Sequence, residues 1–193
     1  MTTLIGYQGD GWAVIGSDSR ATDQAGNYME LSLPKIIKNG RYLIAVAGSS
    51  RGGNIVQFGW KTPTPPSTND TLVLDKFITN KFIPSMRRAF IRAGFDMKDD
   101  GDYARTESVF LIAVNGIIYW INDDYSWDRD ARGIYHQGSG GPLAAAALTA
   151  LDVRECTEPE QVSILVKKAV EVATQWDVFS YKPVYVAVQH FGE

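Results

Sequence analysis

Short blocks of apolar and β-branched residues, separated by glycine turns, dominate the first half of the chain. Thr2–Gln8 and Trp12–Asp18 flank Gly9-Asp10-Gly11, a turn whose glycines permit positive φ. Asn39-Gly40 separates Lys35–Lys38 from Arg41–Ala47, and Asn115-Gly116 separates Val109–Val114 from Ile117–Ile121. Asn-Gly between apolar runs is a strong hairpin signal. These segments predict hairpins enough for two antiparallel sheets.

Elsewhere the period changes. Gly48–Trp60 predicts one short helix, and Thr62–Pro66 a Pro-rich surface loop with nothing to contribute to a core. Leu74, Phe77, Ile78, Phe82, Met86 and Phe90 recur at mostly helical spacing within Asp70–Ala93, where Pro84 is expected to kink or divide the helix. The acidic stretch Gly94–Glu107 reads as an exposed loop. Pro142–Leu151 is helical by propensity, and Thr157-Glu158-Pro159-Glu160 matches a capping box opening a helix to about Trp176. Val184–Val188 reads as a last strand. This order predicts an α+β fold, helices packed outside two stacked sheets, in a single domain spanning 1–193 with no linker or repeat.

Composition narrows the function classes. Hydrophobic residues make up 45% and charged residues 21%, so the chain can bury a core. A net charge of −3 offers no electrostatic reason for nucleic acid or an anionic membrane as partner. The longest stretch without formal charge, Gly133–Leu151, is too polar in its first half to span a bilayer. No basic region precedes an apolar stretch at the N-terminus, and Cys156 is the single cysteine; both fit a soluble, cytoplasmic protein. His136 and His190 lack any nearby cysteine ligand pattern, so no metal site is expected. Gly138-Ser139-Gly140-Gly141 lacks the Lys-Ser/Thr of a phosphate-binding loop. The tryptophans are expected mostly in the core or at subunit contacts.

The candidate chemistry starts at Met1-Thr2-Thr3. A small residue after the initiator methionine favours methionine removal, which would leave Thr2 with a free α-amine. Such an amine titrates at about pH 7.7–8.0, far below lysine, and can take the proton of its own hydroxyl. Five further segments offer partners: Asp18 at the end of the second strand, Lys35 after Pro34, Gly48 at a strand end, Ser139 in a Gly-rich turn entering a helix, and Asp177 and Ser180 after the last helix. Each taken alone has an ordinary structural reading as an ion pair, a turn or a cap.

Taken together, Thr2-Thr3, Ser17-Asp18-Ser19-Arg20-Ala21-Thr22, Lys35, Ala47-Gly48-Ser49, Gly138-Ser139-Gly140-Gly141-Pro142 and Asp177-x-x-Ser180 resemble, in order and spacing, the proteasome β-subunit and HslV peptidase family over essentially the whole chain. The Gly-Ser-Gly-Gly-Pro turn looks most like HslV, and Asp177-x-x-Ser180 is closer to proteasome β subunits, which usually carry Gly where Tyr181 stands here.

The resemblance implies a four-layer αββα sandwich of the N-terminal-nucleophile hydrolase type and a threonine endopeptidase. Thr2 would be the nucleophile, Lys35 the cation beside it, Asp18 the carboxylate holding Lys35, and Gly48 the oxyanion donor. Ser139, Asp177 and Ser180 would surround the α-amine and its water. Substrate positions would fall at Ala21, Val46 and Ser50, small or uncharged, implying cleavage after apolar residues. No cofactor is implied as required, although a structural monovalent or divalent cation near Asp177/Ser180 would fit the family. Expected partners are copies of itself in stacked hexamers or heptamers, an ATPase unfoldase, and unfolded protein or peptide substrates. Two alternatives stay open: a catalytically inactive ring or scaffold subunit, and an amidase of the same mechanistic class acting on a small molecule.

Overall fold

The computed structural model describes residues 1–23, 25–96 and 104–192. Strands β1 (Leu4–Gln8), β2 (Trp12–Ser17), β10 (Ile134–Gln137) and β11 (Tyr185–His190) form one antiparallel sheet in the order β10-β1-β2-β11. The other large sheet runs β5 (Ile36–Asn39), β6 (Tyr42–Gly48), β7 (Ser108–Val114), β8 (Ile117–Ile121) and β9 (Trp127–Asp128). A ribbon of β3 (Arg20–Thr22) and β4 (Tyr28–Glu30) stands apart. The helices are α1 (Ser50–Asn54), α2 (Thr71–Phe77), α3 (Ile83–Arg92), α4 (Gly141–Ala150) and α5 (Pro159–Trp176). Among the described residues no helix is long and apolar enough to cross a membrane.

The strands read as near-continuous apolar runs because both faces are covered, and the period of two sorts their side chains. Leu4, Ala13 and Ile15 from the first sheet meet Leu43, Ala45, Ala47, Leu111, Ala113 and Ile118 from the second in one buried cluster. The alternate residues Ile5, Tyr7 and Val14 pack with Ala144 and Leu148 of α4 and Val162, Val166 and Val170 of α5. Tyr42, Ile44, Phe110, Ile112 and Tyr119 pack with Leu74, Ile78, Phe82, Met86 and Phe90. Small residues on the face between the sheets leave room for close packing there.

Several expectations need refinement or correction. Pro84 divides the second helical segment without ending it: α2 gives way to a wide turn of π-helix at Ile78–Phe82, which runs directly into α3. A proline cannot donate to the carbonyl four residues back and clashes with it; a widened turn relieves both conflicts. The helix opening at Ser50 likewise extends as π-helix over Ile55–Gly59. The capping box does not form, since the N-cap of α5 is Glu158 with no side-chain bond and Pro159 takes the first helical position. A proline is pre-organised there, which puts Thr157 one residue too early.

Of the two Asn-Gly turns, only Asn115-Gly116 has both central residues at positive φ, +50° and +77°. In the other, Asn39 pairs with Tyr42, so Gly40-Arg41 forms the turn and Gly40 takes the positive φ of +59°. Asn39 is thereby freed to bond inward, its Nδ2 donating to the carbonyls of Val56 and Trp60. The Pro-rich segment is no bare surface loop: Pro65 is buried, and Pro63 and Pro66 carbonyls accept from Tyr42 Oη at 2.8 Å and buried Asn115 Nδ2 at 2.7 Å. The acidic stretch is not wholly exposed, because Ala104 and Thr106 are buried; its residues 97–103 lie outside those described. Strands β3, β4, β9 and β10 were not predicted at all.

Phe82 is fully buried, its ring 4.9 Å from that of Tyr42 and 5.1 Å from that of Trp60. Phe82→Ala is expected to cost about 3–5 kcal/mol in urea unfolding. Ile164→Ala, on the exposed side of α5, is expected to stay within about 0.5 kcal/mol of the parent.

Candidate active site

The site lies where β1 begins, β2 ends and the segment before β5 passes beneath them. Lys35 Nζ, nearly buried, donates to Thr2 Oγ1 at 3.0 Å, to Asp18 Oδ1 at 2.6 Å and to the Arg20 carbonyl at 2.6 Å. Three acceptors match the three protons of an ammonium. Asp18 is fully buried and accepts three further bonds: Thr3 N–H at 2.9 Å on Oδ1, and Arg20 N–H at 3.0 Å and Tyr181 N–H at 3.3 Å on Oδ2.

Burial pushes the Lys35 amine below the ordinary lysine value, and the Asp18 carboxylate, with Asp177 farther off, pulls it back up. The N-terminal amine carried by Met1 is lowered by burial and then by the Lys35 charge, while Asp18 and Asp177 oppose the shift. It donates only at 3.4 Å, to the Thr22 carbonyl.

A second cluster meets the first through Thr3. Ser139 Oγ donates to Asp177 Oδ2 at 2.9 Å, Ser180 Oγ donates to the same oxygen at 2.5 Å, and Ser180 Oγ lies 2.7 Å from Thr3 Oγ1. Phe179 N–H donates to Asp177 Oδ1. The structure therefore groups Thr2, Asp18 and Lys35 by direct bonds, and Ser139, Asp177 and Ser180 by another set, with Thr3 between them. With Met1 attached, the Thr2 nitrogen is a peptide nitrogen.

The Gly-rich turn has a steric reason. A Cβ on Gly138, whose φ is +80°, would meet the Thr2 carbonyl, and one on Gly140 would meet Thr3 Oγ1 and Asp177 Oδ2. Gly140 N–H donates to the Thr2 carbonyl at 3.3 Å. The turn must be bare to close over the start of β1. Gly48, at φ +101°, is equally constrained, because a Cβ there would strike the Glu107 carbonyl.

Thr2 and Lys35 open onto a cavity of about 310 Å³, whose lining includes Ala21, Val46, Gly48 and Ser50. All three positions expected to contact substrate are thus on its wall. Leu31, Leu33 and Ile37 add apolar surface, and Asn54 and Gln57 add polar groups. Sequence reasoning missed these, along with the bridging role of Thr3 and the Arg20 carbonyl. Thr3 and Arg20 stood inside the quoted motifs, but backbone roles leave no residue signature. A cation near Asp177/Ser180 meets a carboxylate already accepting three hydrogen bonds, with no cluster of three metal-ligating acids, histidines or cysteines among the described residues.

The fold is shared with solved structures. Thiobacillus denitrificans BPH superposes with a TM-score of 0.68 at 18% identity, covering 99% of this chain and 99% of that one. The same protein in complex with Epoxomicin gives 0.68 and 18% over 100% of both chains. Eukaryotic HslV from Trypanosoma brucei gives 0.62 at 22% identity, covering 98% and 99%. At these identities the likeness is one of fold, and it supports the proteasome/HslV resemblance at that level. No protein-family model matches the chain, and no curated protein sequence matches it significantly.

Asp18→Asn removes the charge that holds the Lys35 proton. The Lys35 amine, followed by ¹³Cε NMR, is expected to titrate lower still, and stability to fall by about 3–5 kcal/mol from the unpaired buried charge. The sign of the parent's pH dependence follows from the depressed Lys35 value. The unfolded chain binds more protons between the folded and unfolded values, so this group's cost is fully present below that window and relieved as pH rises through it.

Proposed function

We propose that the chain is a threonine endopeptidase, with Thr2 as nucleophile once Met1 is removed. The observation that carries this reading is the contact of Lys35 Nζ with Thr2 Oγ1 at 3.0 Å while the same ammonium is held by Asp18. A hydroxyl facing a fixed cation at a chain start is suited to becoming an alkoxide, which the cation stabilises.

The scheme is balanced within the chain. The freed α-amine of Thr2 takes the Oγ1 proton, and Oγ1 attacks the substrate carbonyl carbon. The resulting oxyanion is placed against the Gly48 N–H. Collapse breaks the C–N bond, and the proton held by the α-amine leaves with the amine product. Water then hydrolyses the acyl ester on Thr2 by the reverse proton path. Ser139, Asp177 and Ser180 orient the amine through Thr3. The apolar cavity wall of Ala21, Val46 and Ile37, beside a Lys35 ammonium already paired with Asp18, favours cleavage after apolar residues. No cofactor is required, and no step is routed through a cation at Asp177/Ser180.

The finer fold reading, a four-layer αββα sandwich in one domain, is supported by the three stacked apolar clusters. Assembly into stacked rings, fed by an ATPase unfoldase with unfolded protein and working in the cytoplasm, is the arrangement the fold-sharing with HslV favours. Exposed Phe58, Trp176 and Val178 offer apolar surface for subunit contacts.

The test is intact mass and activity together. The purified protein is expected to lack one methionine, to run far above 21.3 kDa by light scattering, and to cleave short apolar peptides. Thr2→Ala is expected to lower that activity by about a thousandfold or more. Retained Met1 with no activity would favour the inactive ring-subunit reading, and hydrolysis of small amides by a monomer the amidase reading.

A further inference from the structure

The β3–β4 ribbon is a weak element in a demanding place. It has three residue pairs, and Tyr28 and Met29 are each 65% exposed. A two-stranded hairpin of this size is not stable alone in water. Yet its first residue supplies the carbonyl that must stay 2.6 Å from Lys35 Nζ, and the N–H that donates to Asp18 Oδ2 at 3.0 Å. Something has to hold Arg20 still.

Its own side chain does so. The guanidinium carbon lies 4.1 Å from the centre of the Tyr28 ring and 4.3 Å from that of Tyr181, a planar cation between two aromatic faces. Nη1 donates to the Val178 carbonyl at 3.3 Å, whereas the buried Nε has no hydrogen-bond partner among the described residues. Leaving a buried donor unpaired is costly, so the rings set this position more than the hydrogen bonds do. Tyr181 is itself fastened by its backbone, its N–H to Asp18 Oδ2 at 3.3 Å and its carbonyl to Ser19 N–H at 3.1 Å. Ribbon, Asp18 and the segment carrying Asp177 and Ser180 are thus tied through one cation and two rings.

We propose that Arg20, clamped between Tyr28 and Tyr181, is a positioning residue for the Lys35 ammonium. The clamp presents the Arg20 carbonyl and the Asp18 carboxylate to Lys35 as a pair. Its effect on catalysis rests on the peptidase reading; its effect on Lys35 does not. The charged groups facing Lys35 are Asp18 from the end of β2, Asp177 from the segment after α5, and the N-terminal amine. Replacing either ring removes none of these charges.

The experiment is the Lys35 titration, read by ¹³Cε NMR, in Tyr181→Gly, Tyr28→Ala and the ring-preserving Tyr181→Phe. Loss of either ring is expected to lower the proton affinity of Lys35 by about tenfold, the size of one charge-assisted hydrogen bond. Tyr181→Phe is expected to titrate like the parent. A lower unfolding temperature in Tyr181→Gly and Tyr28→Ala with the parent's Lys35 titration would overturn the proposal, as would an equal shift in Tyr181→Phe. In an active parent, the alkaline limb of kcat/KM moves to lower pH in Tyr181→Gly and Tyr28→Ala. A parent without peptidase activity counts against the peptidase reading alone, and the Lys35 titration then decides whether the clamp acts as proposed.

Discussion

A lysine ammonium withdrawn from water is the constraint around which this end of the molecule is built. Lys35 has all three of its protons taken, by Thr2 Oγ1, Asp18 Oδ1 and the Arg20 carbonyl. Burying such a charge is tolerable only when it is both paired and fully hydrogen-bonded. The demand passes on to Asp18, itself fully buried, whose two oxygens need donors of their own. They find them in the backbone of Thr3, Arg20 and Tyr181. One carboxylate therefore joins the start of β1, the end of β2, the ribbon and the segment before β11.

The same convergence explains where the chain is bare of side chains. Gly138 and Gly140 cannot carry a Cβ because the turn lies directly over Thr2 and Thr3. That closeness brings Ser139 to Asp177, and Ser180 to Thr3, so the two polar clusters share a boundary at Thr3 without merging. The N-terminal segment is thereby bonded from both sides, Thr2 to Lys35 and Gly140, and Thr3 to Asp18 and Ser180. The sheets behind it contribute rigidity: β1 and β2 are buried on both faces, between α4 and α5 on one side and the second sheet on the other.

How much was legible beforehand varied with the range of the interaction. Asp18, Lys35, Ser139, Asp177 and Ser180 were picked out only by the order and spacing of the motifs that carry the family resemblance, since each taken alone has an ordinary structural reading. The hairpin at Asn115-Gly116 was readable because the local φ preference of that pair decides it. At Asn39-Gly40 the same preference lost by one residue, since the asparagine amide has better use bonding Val56 and Trp60. Thr157 lost its cap to the fixed φ of Pro159. Strands β3, β4 and β9 hold two or three residues each, too few to show a period. The π-helical turns gave no signal either, because a widened turn keeps nearly the same apolar spacing.

By itself, then, the sequence determined the α+β character, the order of the longer elements and the residue types available for chemistry near Thr2, since these follow from local periodicity and turn preference. Only the tertiary structure decided that the Lys35 ammonium touches the Thr2 hydroxyl, that Thr3 bridges two polar clusters, and that Arg20 lies between two tyrosines. Those contacts join positions from 8 to 177 residues apart, counting Tyr28 to Arg20 and Ser180 to Thr3. Their geometry is set by the packing of both sheets and the closing turn, and no local pattern of residues encodes it.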